Sequence, residues 1–195
     1  MALTRQDIAR SGLRLLNDVG LNGLTLRLIA GDLGVKAPAL YWHVKNKQEL
    51  LDRMATQMLA DAVADRVPPD GLDPWQLLEH QARTLRRTLL AYRDGAKVFS
   101  GTYLDDLSLL GPPPLQGLID AGLDATRAVR ATFTVYSFVI GFTIEEQAVY
   151  PRPGERDERY GPADEGAAIF RDVEAGFSDG LAMVLSGARQ WVEAA

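Results

Sequence analysis

Apolar residues along this chain recur at the three-and-four spacing of a helix, and no stretch alternates as a half-buried strand would. Thr4 is placed to cap a first helix, with Asp7 in the early turn where the helix dipole favours an anion. Ile8, Leu13, Leu15, Leu16 and Val19 give that helix an apolar face, and Gly20 closes it. After a connector from Leu21 to Leu24, Thr25 caps a short second helix whose apolar positions are Leu26, Ile29, Ala30 and Leu33. Gly34 stands one residue past the last of these, where a left-handed residue ends a helix. Pro38 falls in the first turn of a third segment that runs to His43. Asn46 caps a fourth, in which Leu50, Leu51, Met54, Met58, Leu59, Ala62 and Val63 keep helical spacing up to Pro68-Pro69-Asp70-Gly71.

Beyond that punctuation the pattern stays helical. Asp73 and Pro74 open a helix to about Tyr92, with Trp75, Leu78, Ala82, Leu85 and Leu89 inward, and Arg93 to Phe99 reads as a further short turn. Ser100 to Pro114 reads mostly as loop, and Leu115 to Ala121 as one more short helix closed by Gly122. Asp124 caps the longest apolar pattern, whose middle from Phe133 to Ile144 is apolar nearly all round and predicts burial on every side. Residues 151–165 are charged and rich in Pro and Gly, a surface loop. Two closing helices are predicted, Ala167 to Glu174 and Phe177 to Trp191. The last carries an apolar stripe from Phe177 to Val192, with Gly176, Gly180 and Gly187 allowing close approach. The fold class is all-α, divided into an N-terminal three-helix domain over 1–48 and a larger helical domain over 49–195.

Composition narrows the chemistry. The 195 residues hold no cysteine, which excludes disulfides, thiolate metal sites and cysteine nucleophiles. The first dozen residues do not read as a signal peptide and no apolar run is long enough to span a membrane, so a cytoplasmic protein is expected. The net charge of −5 is unevenly placed. Residues 1–50 carry seven Lys/Arg against four acids, whereas the remainder carries 14 against 22. Phosphate neutralisation is local, so a basic first quarter on an acidic body still suits DNA. Two helices joined by the short turn at Gly34 form a helix-turn-helix unit, whose second helix can enter a major groove.

The string LLNDVGLNGLTLRLIAGDLGVKAPALYWHVKNKQELLD resembles the DNA-binding domain of the tetracycline-repressor (TetR) family, most specifically in LYWHVKNK. YRDGAKVFSGT and SFVIGFTIEEQ are similar to segments of the regulatory domain in the tetracycline-repressor subgroup. The resemblance implies a dimeric repressor with a helix-turn-helix head and a C-terminal domain for ligand binding and dimerisation. By the family pattern, Arg27, Lys36, Ala37, Pro38, Ala39, Tyr41, Trp42, His43 and Lys47 lie at the DNA. Lys47 and the Tyr41 hydroxyl would hold phosphates, Arg27 could pair with a guanine edge, and Pro38 and Ala39 could touch a thymine methyl. Tyr41 and Trp42 fit packing between helices as well, and His43 fits a plain helix-end role. Ala37 stands where the tetracycline repressors place a polar base reader, which implies a different operator.

The resemblance also implies an effector site, and there this chain departs further. Phe99 stands at the position of the metal-binding histidine, Val63, Gln81 and Leu85 replace other drug-contacting residues, and Ser137 replaces another histidine, while Thr102 and Glu145 are kept. With Tyr103 and Phe138 these residues imply a mostly apolar, metal-free pocket and a small-molecule effector without a cofactor. Glu145 and Glu146 are neighbours on a helix and point about 100° apart, so they do not converge as a catalytic pair. No catalytic residue is assigned and no enzyme is expected. The helices from Asp124 and Phe177 are those expected to pair two subunits, the alternative being that both stripes are used within one chain. Partners are thus operator DNA, an effector and a second copy, with no membrane. Two other classes stay open: a DNA-binding regulator without small-molecule input, and a small-molecule sequestering protein.

Overall fold

The computed structural model describes residues 3–62, 68–104, 106–110, 114–152, 154–160 and 172–193. These contain α1 (Arg5–Gly23), α2 (Leu26–Asp32), α3 (Ala37–Leu40), α4 (Lys47–Asp61), α5 (Pro74–Leu90), α6 (Gly95–Phe99), a 3₁₀ turn (Leu107–Leu110), α7 (Pro114–Asp120), α8 (Ala125–Val149) and α9 (Val173–Glu193). No strand occurs among the described residues, and none of their helices is long and apolar enough to cross a membrane. The chain divides into two compact units, one of residues 1–65 and 88–110 and the other of 66–87 and 111–195.

The caps expected from the sequence start the helices of the first unit. Thr4 accepts the Asp7 N–H at 3.1 Å while the Asp7 carboxylate accepts the Thr4 N–H at 3.0 Å, a reciprocal cap. The Thr4 hydroxyl, donating to the Asp7 carboxylate at 2.6 Å, and then the Thr4 N–H hold the Asp7 carboxyl below the usual carboxylate range. Thr25 caps α2 through Leu28 N–H, and Asn46 caps α4 through Glu49 N–H at 2.9 Å. Gly34 adopts φ +66°, which lets Val35 N–H reach back to Ala30 at 2.9 Å and turns the chain sharply into α3. Ile8, Leu16, Ile29, Leu40, Val44, Met54 and Met58 are fully buried and form the core under this turn. Gly20 does interrupt α1, at φ 69°, but Leu21 to Gly23 continue as a helical turn where the sequence suggests a plain connector.

The end of α1 is tied to the α5–α6 corner of the same unit. Arg93 N–H donates to Asn17 Oδ1 at 2.9 Å, and Asp94 Oδ2 accepts the Leu21 N–H at 2.9 Å. Asp94 holds this position with φ 54°, the left-handed conformation that Asp tolerates better than most residues. Tyr92 lies 3.3 Å from Asp61, and its own burial, helped by that carboxylate, pushes its hydroxyl up to about 12.

In the second unit α8 packs on α7 and α9. Arg86 of α5 is buried, with Nε and Nη2 both 2.9 Å from Glu146 of α8 and Nη1 at 2.6 Å from Glu174 of α9. Its guanidinium also lies 4.4 Å from the Phe177 ring centroid, inside a cluster with Phe138 and Phe142. Burial by itself would lower the Arg86 pKa, but the two carboxylates outweigh it and raise it. At Gly180 a Cβ would sit 2.7 Å from the Phe138 ring, so the missing side chain is what lets α9 close on α8.

Two expectations need correction here. The middle of α8 is not buried on every side by this chain alone: Phe133 is 65% exposed and Ser137 and Gly141 are exposed, because the neighbouring helices of the unit cover only the opposite face. The expected break between Glu174 and Phe177 does not occur either, since α9 runs unbroken from Val173. The expected helix over Ala167 to Glu174 lies mostly outside the described residues, as does the rest of the loop after Tyr160.

Candidate functional site

The expected DNA-contacting residues are gathered by the first unit onto α2, α3 and the start of α4. Leu40, fully buried, anchors α3 and leaves the rest of that short helix facing outward. Arg27, Lys36 and Pro38 are exposed, and Ala37, Ala39 and His43 are half-buried. Tyr41 is 57% exposed and Trp42 is 88% exposed, which removes packing between helices of the chain as the role of Trp42. An indole so far out of the core is costly to leave in water and fits a surface that something else covers. Lys47 Nζ donates to the Leu21 carbonyl at 3.1 Å, at the exposed junction of α1 and α4. Asp32, the one carboxylate between Thr25 and Lys45, accepts from Ser11 and Arg14 of α1. The surface therefore presents cations, aromatic rings and small apolar groups, with its single acid already engaged.

The expected effector residues fall in both units. Val63 lies outside the described residues. In the first unit Phe99 is buried at the end of α6, its carbonyl accepting from the Thr102 hydroxyl at 2.7 Å, and Tyr103 is 76% exposed. In the second unit Leu85 is buried on α5, and Gln81 of the same helix is half-buried. Phe138 belongs to the ring cluster with Phe177, at a centroid distance of 5.6 Å. Ser137 and Glu145 lie on the exposed stripe of α8. Of the Glu145–Glu146 pair, Glu146 is the one turned into the unit, where it meets Arg86. Sequence reasoning did not single out Arg86. The signal was present, since Arg86 follows Ala82 by one helical turn on the buried side of α5, a costly place for an unpaired charge. Among the described residues no three His, Cys, Asp or Glu side chains are grouped as metal ligands.

A second exposed surface lies along α8 and α9. A groove of about 560 Å³ runs between them, walled by Ala131, Thr134, Val184, Gly187, Ala188 and Trp191. Around it Val129, Phe133 and Met183 are 49%, 65% and 70% exposed.

Residues 8–54 match the family of bacterial regulatory proteins of the tetR type, and residues 67–192 match the tetracyclin repressor-like C-terminal domain. The chain belongs to the TetR family. It is 41% identical to the tetracycline repressor protein class A from transposon 1721 of Escherichia coli, over 92% of this chain and 88% of that one. Among solved structures, TetR (class A) in complex with 5a,6-anhydrotetracycline and magnesium superposes with TM-score 0.74 at 37% identity, covering 96% of this chain and 99% of that one. BioQ with its natural double-stranded DNA operator superposes with TM-score 0.68 at 27% identity, covering 96% and 98%. Like these TetR-family proteins, the chain is a ligand-responsive, DNA-binding transcriptional repressor with a helix-turn-helix head and a helical C-terminal domain.

Proposed function

We propose that this repressor acts as a cytoplasmic homodimer that holds a palindromic operator and releases it when a small, mostly apolar effector binds without a metal. What carries the reading is that the chain exposes two unlike surfaces. One is cationic and aromatic around Trp42, and the other is apolar along α8 and α9. The first suits DNA and the second a copy of itself. A second copy sets two heads at the spacing of successive major grooves, about 34–36 Å, which a single head cannot do. Lys47 and Tyr41 then hold phosphates, and Arg27 with the exposed face of α3 meets base edges, Lys36, Trp42 and His43 flanking them.

The effector contacts are assigned to Val63, Gln81, Leu85, Phe99, Thr102, Tyr103, Ser137, Phe138 and Glu145, of which Leu85 and Phe99 are buried and apolar. A magnesium-assisted drug does not fit this donor set. The chain has two histidines, His43 in the head and His80 on α5, and a buried phenylalanine ring stands at position 99. No catalytic residue is assigned, and the buried carboxylate Glu146 is held by Arg86. Release is a population shift: an effector that favours a different head spacing weakens DNA binding by its differential affinity for the two states. The lever is α4, which starts at Lys47 and packs on both α1 and α6.

The test has three parts on the purified protein. Light scattering at micromolar concentration should give a dimer, and a monomer refutes the assembly. A duplex containing the promoter of its own or an adjoining gene should bind, and Tyr41→Ala with Lys47→Ala should abolish that binding. A panel of hydrophobic compounds should release the DNA equally with magnesium and with chelator. Release that needs magnesium would overturn the metal-free pocket.

A further inference from the structure

We infer that Asp94, at the α5–α6 corner, positions Lys47 for its phosphate contact through Leu21, which stands between them. This rests on the DNA-binding reading above and adds a positioning residue to it. Leu21 is held at both of its backbone groups. Its N–H donates to Asp94 Oδ2 at 2.9 Å, and its carbonyl accepts from Lys47 Nζ at 3.1 Å. A lysine ammonium has three donors, so one given to the carbonyl places the nitrogen and leaves two for a phosphate oxygen. An exposed lysine otherwise samples many rotamers, and ordering it only when DNA arrives would weaken binding.

The corner keeps its end of this connection fixed. Among the described residues Asp94 is the one non-glycine with positive φ, a conformation that persists only where the surroundings enforce it. Two bonds do so here. Asp94 Oδ1 accepts from Lys97 Nζ at 3.1 Å, and the neighbouring Arg93 N–H is held by Asn17. The Asp94 side chain is only 18% exposed. On α1, a Cβ at Gly20 would lie 3.1 Å from Asp94 Oδ2 and 3.3 Å from Arg93 Nε. The missing side chain therefore gives the carboxylate room to reach the Leu21 N–H. Gly20 also breaks the helical path, so the body of α1 does not by itself fix where the Leu21 carbonyl points.

The experiment is a double-mutant cycle on the full-length chain, with an operator that the chain selects from random duplexes. With Lys47 present, Asp94→Ala should weaken operator binding about fivefold and lower the slope of log affinity against log salt by about 0.5. In a Lys47→Ala background the same change should cost nothing further, since no ammonium is left to position. Asp94→Asn keeps an acceptor and tolerates the left-handed conformation, so it should bind like the unaltered protein. Equal losses from Asp94→Ala in both backgrounds, or an Asp94→Asn variant as weak as Asp94→Ala, would overturn the inference. Hydrogen exchange decides the matter if Asp94→Ala does not fold. Saturating operator should slow exchange of the Leu21 amide about threefold in the unaltered protein and leave it unchanged in Lys47→Ala. No slowing in the unaltered protein, or equal slowing in both, overturns the inference as well. Failure to select any duplex would instead sink the DNA-binding reading itself, so the two failures are distinguishable.

Discussion

The surface around α3 and the surface along α8 and α9 both leave large apolar side chains in water, yet their settings differ. Trp42 and Tyr41 share the helix-turn-helix segment with the exposed Arg27, Lys36 and Lys47, and its Asp32 is engaged by α1. Phe133 and Met183 border a groove whose walls are mostly Ala, Gly, Val and Trp, with Arg130 as its charged member. Exposed rings on a segment whose exposed charged residues include Arg27, Lys36 and Lys47 suit a polyanion, whereas exposed apolar side chains beside a groove of small residues suit another protein surface of the same kind. The neighbours, more than the rings themselves, tell the two surfaces apart.

The most damaging way to break this contrast is to put charge on the second surface. Phe133→Glu combined with Met183→Glu should give a monomer by light scattering and lower operator affinity by about 10²–10⁴-fold, because two linked heads lose their shared effective concentration. Retained dimers and retained affinity would mean that the α8–α9 face is not the subunit contact.

Inside the same unit, Glu146→Ala should lower stability in urea by about 3 kcal/mol, since Arg86 then stays buried with Glu174 as its remaining carboxylate. The double replacement Arg86→Met with Glu146→Leu should recover most of that loss. A double variant as unstable as the single one would show that the pair is not what the site requires.

On the first surface the effects are smaller and depend on salt. Lys47→Ala should weaken operator binding about tenfold and reduce the slope of log affinity against log salt by about 1. It should leave the dimer intact, which separates the two surfaces cleanly.

The smallest expected effect concerns acid. The Lys45 N–H, at 2.8 Å, holds the Glu49 carboxyl below its ordinary value of 4.5. Its contribution to the head is fully present above 4.5 and is lost as pH falls through the lower folded value. Glu49→Gln should flatten the head's stability against pH in that acidic window, and an unchanged profile would refute the assignment.

Much of the head was legible because its signals are local. Thr4, Thr25, Asn46 and Gly34 act within four residues of themselves, and each does what its position implies. The exposure of Trp42 was not legible, because an amphipathic ring at that spacing serves a core and a surface equally well. In the larger unit the errors share one cause. The break expected after Glu174 is absent because α9 runs on from Val173, and the all-round apolar centre of α8 is covered by its own chain on one face only. Arg86 was hidden for a similar reason, since its two carboxylates lie 60 and 88 residues away along the chain. Patterns within a helix show which residues are apolar, but not which helix arrives to cover them.

The seat that Gly180 leaves for the Phe138 ring carries an evolutionary consequence. The two positions cannot drift separately: a homologue that gains a side chain at 180 must trim the one at 138, or let the helices part. Across related repressors the pair should therefore exchange bulk in a compensating way, small opposite large. A library that varies the two codons together should recover folded proteins along that diagonal and few elsewhere.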